Sequence, residues 1–154
     1  MILAGAVVLG TAGCTFVSTQ ATLIEYDPSD GVSANVGSVQ VRNALAIANE
    51  DDTTVSLLLT LVNSGNNRAT VNIQYEVAGE KVTTIEAVDG NSTLSFGNSP
   101  TEEQILINNP GVPAGGLYPV YVQYGDHEGS QMLVPVLAPD TNGYEGLAPV
   151  AVAE

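Results

Sequence analysis

The chain has 154 residues, enough for one domain whose core folds alone. Three basic residues (Arg42, Arg68, Lys81) face 17 acidic ones for a net charge of −14, which excludes nucleic acid and anionic lipid headgroups as electrostatically held partners. An apolar share of 44% rules out wholesale disorder, and abundant Val, Thr, Leu and Gly with no Trp favours strands and turns over helices.

Residues 2–9 (Ile-Leu-Ala-Gly-Ala-Val-Val-Leu) form an apolar run too short to span a bilayer. Small residues come next and lead to Cys14, the single cysteine, in "LGTAGCTF". An apolar run with a small-residue exit is how a secretory signal ends, so residues 1–13 read as a signal-peptide remnant. The stretch "TAGC" resembles a bacterial lipobox, in which small side chains admit the peptidase and the thiol is acylated. It departs from that pattern at Thr11, where Leu or Val is usual. No Lys or Arg precedes the apolar run, which places the expected start codon upstream. Three other roles stay open for Cys14: a small buried hydrophobe, half of an intermolecular disulfide, or a reactive thiol. Lipidation at Cys14 is the expectation. Each buried methylene of its acyl chains would contribute about 0.8 kcal/mol of anchoring, and two chains hold stably. The expected location is the extracytoplasmic face of the cell membrane.

Residues 14–37 read as the attachment cysteine and an extended leader, with turns at Pro28 and at Asp30-Gly31. Beyond them the chain takes up a regular beat. In 39–47 the odd positions Val39, Val41, Leu45 and Ile47 fall on one face, broken by Asn43. In 55–63 Val55, Leu57, Leu59 and Leu61 share a face, while Leu58 and Val62 make the other partly apolar, which predicts a central strand. The loop 64–68 holds residues that tolerate positive φ. Segment 71–77 alternates strictly, with Val71, Ile73, Tyr75 and Val77 on the apolar side, the signature of a half-buried strand. Further strands are expected at 81–88, 92–96, 104–108, 117–124 and 131–137. Pro119 and Pro135 cannot donate to a ladder, which predicts an edge or a bulge for the last two. Ser99-Pro100 with two Glu after it reads as a helical turn. Residues 139–154 lose the alternation and read as a flexible acidic tail. The expected architecture is all-β: an antiparallel Greek-key β-sandwich of about seven or eight strands over residues 38–138, cupredoxin- or Ig-like.

Chemistry-bearing patterns are sparse. The single imidazole, His127 in "YGDHEGSQM", lies in a Gly-bounded hairpin loop between Asp126 and Glu128. A catalytic base needs an orienting group and a cleft, and an exposed turn is the ordinary place for such a His. No nucleophile elbow, phosphate loop or dinucleotide fingerprint occurs. His127 and Met132 form a weak candidate metal pair, two soft donors short of a closed site. The acidic loops 27–30, 49–52 and 88–93 lack the twelve-residue calcium pattern. Carboxylate pairs for glycoside cleavage depend on the fold, and there are few aromatics to stack on a sugar. No catalytic residue and no cofactor is expected.

The stretches "TAGC", "EYDPSDGVSANVGSVQVRNALAIAN" and "SLLLTLVNSG" resemble the LpqE-like family of actinobacterial surface lipoproteins, over roughly residues 12–137. The resemblance implies a β-sandwich related in fold to periplasmic PCu(A)C copper chaperones. Those chaperones carry two His and two Met in a spaced motif, and this chain has one His and one Met beyond Cys14, so the copper role is not carried over. It further implies a membrane-tethered, non-catalytic accessory or docking domain. The implied partners are the bilayer, through acylated Cys14, and an envelope protein such as the respiratory cytochrome bc–oxidase supercomplex. The alternative is metal handling, of copper or weakly of calcium.

Overall fold

A computed structural model describes residue 27 and residues 29–149. The signal-like run, Cys14 and the greater part of the leader lie outside the described residues. Among the described residues nine strands run in order: β1 (Val32–Val36), β2 (Val39–Ala48), β3 (Thr54–Asn63), β4 (Ala69–Val77), β5 (Glu80–Val88), β6 (Ser92–Phe96), β7 (Ile105–Asn108), β8 (Leu117–Tyr124) and β9 (Ser130–Leu137). All eight expected strands are present within a residue or two of their expected ends. The ninth, β1, lies inside the stretch read as leader and pairs antiparallel with β2.

The strand order is β5-β4-β8-β9-β2-β3-β6, with β1 also on β2 and β7 also on β3. It curls into two layers, β5-β4-β8-β9 facing β1-β2-β3-β6/β7. The layers are joined where the end of β9 pairs parallel with β2 at Ala46–Val136 and Ile47–Leu137. Between them lies the main core, fed by every second residue of each strand: Leu57, Leu59 and Leu61 from β3, Val71 and Ile73 from β4, Val120 and Val122 from β8. As the alternation in 55–63 implied, β3 is central, with β2 on one side and β6 and β7 sharing the other.

The beat expected of β2 is corrected by the structure. Arg42 pairs with Thr60 and Leu45 with Leu58, so Asn43 and Ala44 together oppose Leu59 alone. This bulge shifts the period-two pattern by one residue and exchanges the two faces for the remainder of the strand. Val39 and Val41 before it, and Ala44, Ala46 and Ala48 after it, point into the main core. Leu45 and Ile47 point out, into a second apolar cluster with Leu58. Asn43 adopts φ 50°, and its Oδ1 accepts from the Gly31 N–H at 3.2 Å. A β-carbon at Gly31 would lie 2.6 Å from the Asn43 carbonyl carbon, so glycine there lets the two backbones meet.

The prolines also differ from expectation, since β8 and β9 are interior in strand order. The β4 ladder on β8 ends at Tyr121, short of Pro119. The parallel ladder to β2 starts at Val136, just past Pro135. Each proline therefore pairs on one side only, and on its other side no ladder runs for a missing N–H to break. Residues 99–104 form a turn, Glu102 N–H to Ser99 C=O at 3.1 Å, with no helix.

Residues 138–149 carry no strand, as expected, but they fold back as a strap of successive turns closed by Thr141→Ala138, Tyr144→Thr141 and Leu147→Tyr144 N–H···O bonds. The strap lays Leu147, Tyr144 and Ala148 over Leu45, Ile47 and Leu58. Gln104 Nε2 ties it down on the Leu147 carbonyl at 3.2 Å, and Tyr144 Oη donates to Asp30 at 3.0 Å. In place of a loose tail, a packed segment is found from 138 to 149. Among the described residues no helix is long and apolar enough to cross a membrane.

Candidate functional site

The end of the sandwich that carries His127 gathers four connections: the β1–β2 turn, the β3–β4 loop, the β5–β6 turn and the β8–β9 hairpin tip. Buried Asn63 is its keystone. Its Nδ2 donates to the carbonyls of Asn67, Val88 and Asp89 at 2.8, 3.1 and 3.2 Å, and its Oδ1 accepts from the Gly65 N–H at 2.9 Å. An amide with donors and an acceptor on one planar group joins two loops in a way no apolar side chain can. Arg68 and Asp89, 3.6 Å apart at the same end, are both largely exposed, so their pairing adds little rigidity.

On that frame the hairpin tip closes between Val122 and Ser130, with Gly125 at φ 54°. The His127 N–H bonds the Tyr124 carbonyl at 3.2 Å, which folds the imidazole back over the Tyr124 ring, centroids 5.1 Å apart and planes 29° inclined. Its opposite neighbour is Gly37 at the β1–β2 turn. A β-carbon there would lie 2.6 Å from Cδ2 and Nε2 of the imidazole. His127 is thus exposed to solvent yet held between Tyr124 and the Gly37 backbone. No local pattern pointed to Gly37. The spacing of Tyr124 three residues before His127 is the one signal from which the stacking could have been found.

Met132 is placed differently. It is 4% exposed and belongs to the main core, directly opposite Val120 in the β8–β9 pairing. Its thioether packs inside the sandwich while the imidazole sits outside on the tip, so the pair does not form a ready two-donor site. The buried even positions Met132, Val134 and Val136 alternate with exposed or half-buried residues along β9, and that signal was available in the sequence. Cys14 lies outside the described residues. Among the described residues, those of the acidic loops 49–52 and 88–93 included, no group of three or more His, Cys, Asp or Glu side chains is positioned to hold a metal ion. Asp52 instead accepts from the Ala114 N–H at 3.1 Å, and Asn49 closes the β2–β3 turn through Thr53 and Thr54.

Tyr118 is pushed above the usual tyrosine range by burial, and its hydroxyl donates to the Glu76 carbonyl. Tyr144 in the strap is raised by burial and by its bond to Asp30. Glu86 on β5 is raised by burial and then by the nearby Glu103 carboxylate. These three do not share a cleft with His127.

No family model and no curated protein matches the chain. Solved structures do. The copper-bound PCuAC domain from PmoF2 is similar at a TM-score of 0.53 and 16% identity, covering 70% of this chain and 99% of that one. The apo PmoF2 PCuAC domain gives 0.55 and 15%, covering 71% and 98%. The apo PCuAC domain from PmoF1 gives 0.57 and 11%, covering 70% and 100%. At these identities the likeness is one of fold. The expected likeness in fold to the copper-chaperone sandwich holds.

Proposed function

We propose that this chain is a non-catalytic, extracytoplasmic metal-handling domain in which the His127 imidazole is the donor offered to copper. The observation that carries the reading is the correspondence with PCuAC domains, one of them copper-bound, which spans nearly the whole of each of those domains. In support, His127 is exposed and pre-oriented by Tyr124 and Gly37, so binding costs it little side-chain freedom. The donor set is incomplete. With Met132 in the core, a bound ion keeps open positions filled by water or by a second protein, which suits transient handling better than storage. Titration of the chain with Cu(I) and Cu(II), read by NMR at the imidazole, tests this. One weak site lost in His127→Ala is expected. No binding below millimolar metal, or binding unchanged in that variant, removes the reading.

A second reading is a lipid-anchored accessory domain that docks on another envelope protein. It is favoured by the signal-like run ending at Cys14 and by an uncharged apolar face on β8 and β9. Mass spectrometry of the native N-terminus and purification from solubilised membranes test it. An unmodified Cys14 on a protein recovered alone in the soluble fraction counts against it.

A further inference from the structure

The outward side of the β5-β4-β8-β9 sheet joins the charged strands β5 and β4 to an uncharged β8–β9 pair. β8 and β9, eight residues each, contain no Asp, Glu, Lys or Arg, in a chain of net charge −14. The outward pairs are Leu117–Pro135, Pro119–Leu133 and Tyr121–Gln131. Leu117 and Leu133 are 55% and 53% exposed, and Ile85 on β5 extends the face. Next to this strip lies a depression of about 310 Å³ walled by Pro119, Tyr121 and Gln131 on one side and Gln74, Glu76 and Lys81 on the other. Tyr121 is fixed there, because a β-carbon at Gly129 would lie 2.2 Å from its hydroxyl oxygen and glycine alone leaves the ring its place. Exposed carboxylates border the strip, Glu76 on β4 and Asp126 and Glu128 in the hairpin tip, with the ammonium of Lys81 opposite Glu76.

We propose that this face docks a protein surface with an apolar centre and a basic rim, an arginine of which enters the depression. The inference rests on the second, accessory-domain reading. Charge selects the occupant. A second copy would bring two equally acidic rims together, and a bilayer carrying anionic lipid would repel the same carboxylates. A basic rim meets them with attraction, while Leu117 and Leu133 lose water against apolar groups. In the depression a guanidinium stacks on the Tyr121 ring and pairs with the Glu76 carboxylate, the kind of anchor that dominates interface energetics.

The test titrates the full chain with an acetylated, amidated Leu-Arg-Val-Arg-Leu peptide, monitored by amide NMR. The Glu-for-Arg peptide, phosphatidylglycerol vesicles and sedimentation of the chain alone run beside it. The proposal expects shifts confined to Tyr121, Gln131, Leu133 and their β4 neighbours, weakening with salt. It also expects binding to fall at least about fivefold in Leu133→Ser and in Glu76→Gln. Leu106→Ser, an exposed leucine on the other sheet, leaves binding unchanged. Equal binding of the acidic peptide, shifts elsewhere, no binding up to millimolar peptide, vesicle adsorption through this face, or self-association through it would each overturn the proposal. The result is independent of membrane attachment, which the native N-terminus and co-purification decide, so the face fails separately from the reading on which it rests.

Discussion

Both sheets carry large apolar side chains on their outward surfaces, and the chain treats the two differently. On the β1-β2-β3 side Leu45, Ile47 and Leu58 are covered by the strap, and Leu147 completes a second small core. On the β4-β8-β9 side Leu117, Tyr121 and Leu133 remain open. The first surface exists because the bulge at Asn43 throws Leu45 and Ile47 outward, and twelve further residues (138–149) are committed to hiding them. Had the second surface been a by-product of strand composition, polar residues at these positions would keep the sheet equally well, since an outward strand position has no packing demand. An uncovered apolar face on so acidic a chain is the feature that the docking proposal takes up.

The sharpest way to break this contrast is a pair of substitutions. Leu58→Ala beneath the strap should cost about 2–4 kcal/mol of unfolding free energy in urea, through lost transfer energy and the cavity left behind. Leu133→Ala on the open face should stay within about 0.5 kcal/mol. Comparable costs at both sites would mean the open face is structurally loaded and would end the distinction.

Next in size is Ser56, whose hydroxyl is fully buried beside Ile47 with no hydrogen-bond partner among the described residues. Ser56→Ala removes an unsatisfied polar group from the covered side and should raise stability by about 1 kcal/mol, read as a higher urea midpoint at unchanged m-value. A destabilised variant would show that the hydroxyl is satisfied in solution.

The strap itself should respond to alkali. Tyr144 is raised by burial and by Asp30, so the fold favours its protonated form. Its contribution is fully present below the ordinary tyrosine range, about pH 10, and is lost as pH rises through the higher folded value. Tyr118 in the main core shares that direction and adds to global alkaline destabilisation. Tyr144→Phe should slow the alkaline rise in amide exchange at Leu45 and Leu58 while leaving the Tyr118 part of global unfolding. Identical exchange profiles in variant and parent would show that the strap does not loosen with Tyr144 ionisation.

The smallest effect belongs to the open sheet's edge. Glu86 is raised by burial and by Glu103, so its ionisation opposes folding: its contribution is present below the usual carboxylate range and lost as pH rises through the folded value. Glu103→Gln should move the Glu86 titration, tracked by carboxyl NMR, back toward the ordinary value. Glu86→Gln should make stability slightly greater at neutral pH than at pH 3, relative to the parent. A Glu86 titration that ignores Glu103 would place the two carboxylates too far apart to interact.

Much of this molecule was legible because a strand with one buried face writes that fact every second residue. Val71, Ile73 and Tyr75 announced β4, and Leu57, Leu59 and Leu61 with Leu58 opposite announced a central β3. The candidate site was less legible. His127 was placed in its hairpin loop by Gly125 and Gly129, but the Gly37 platform that holds it comes from a turn ninety residues earlier in the chain (127 against 37). Met132 lies near His127 in sequence, although the alternation of β9 already sends it to the opposite side.

By itself, then, the sequence determined eight of the nine described strands, the turns between them and the acidic, phosphate-repelling character of the surface, all of which depend on neighbours within a few residues. Tertiary structure alone decided which face each half of β2 presents, that residues 138–149 form a cover, and which apolar surface stays bare. A one-residue bulge inverts every side chain beyond it, and only the pairing of β2 with β3 shows where the extra residue falls.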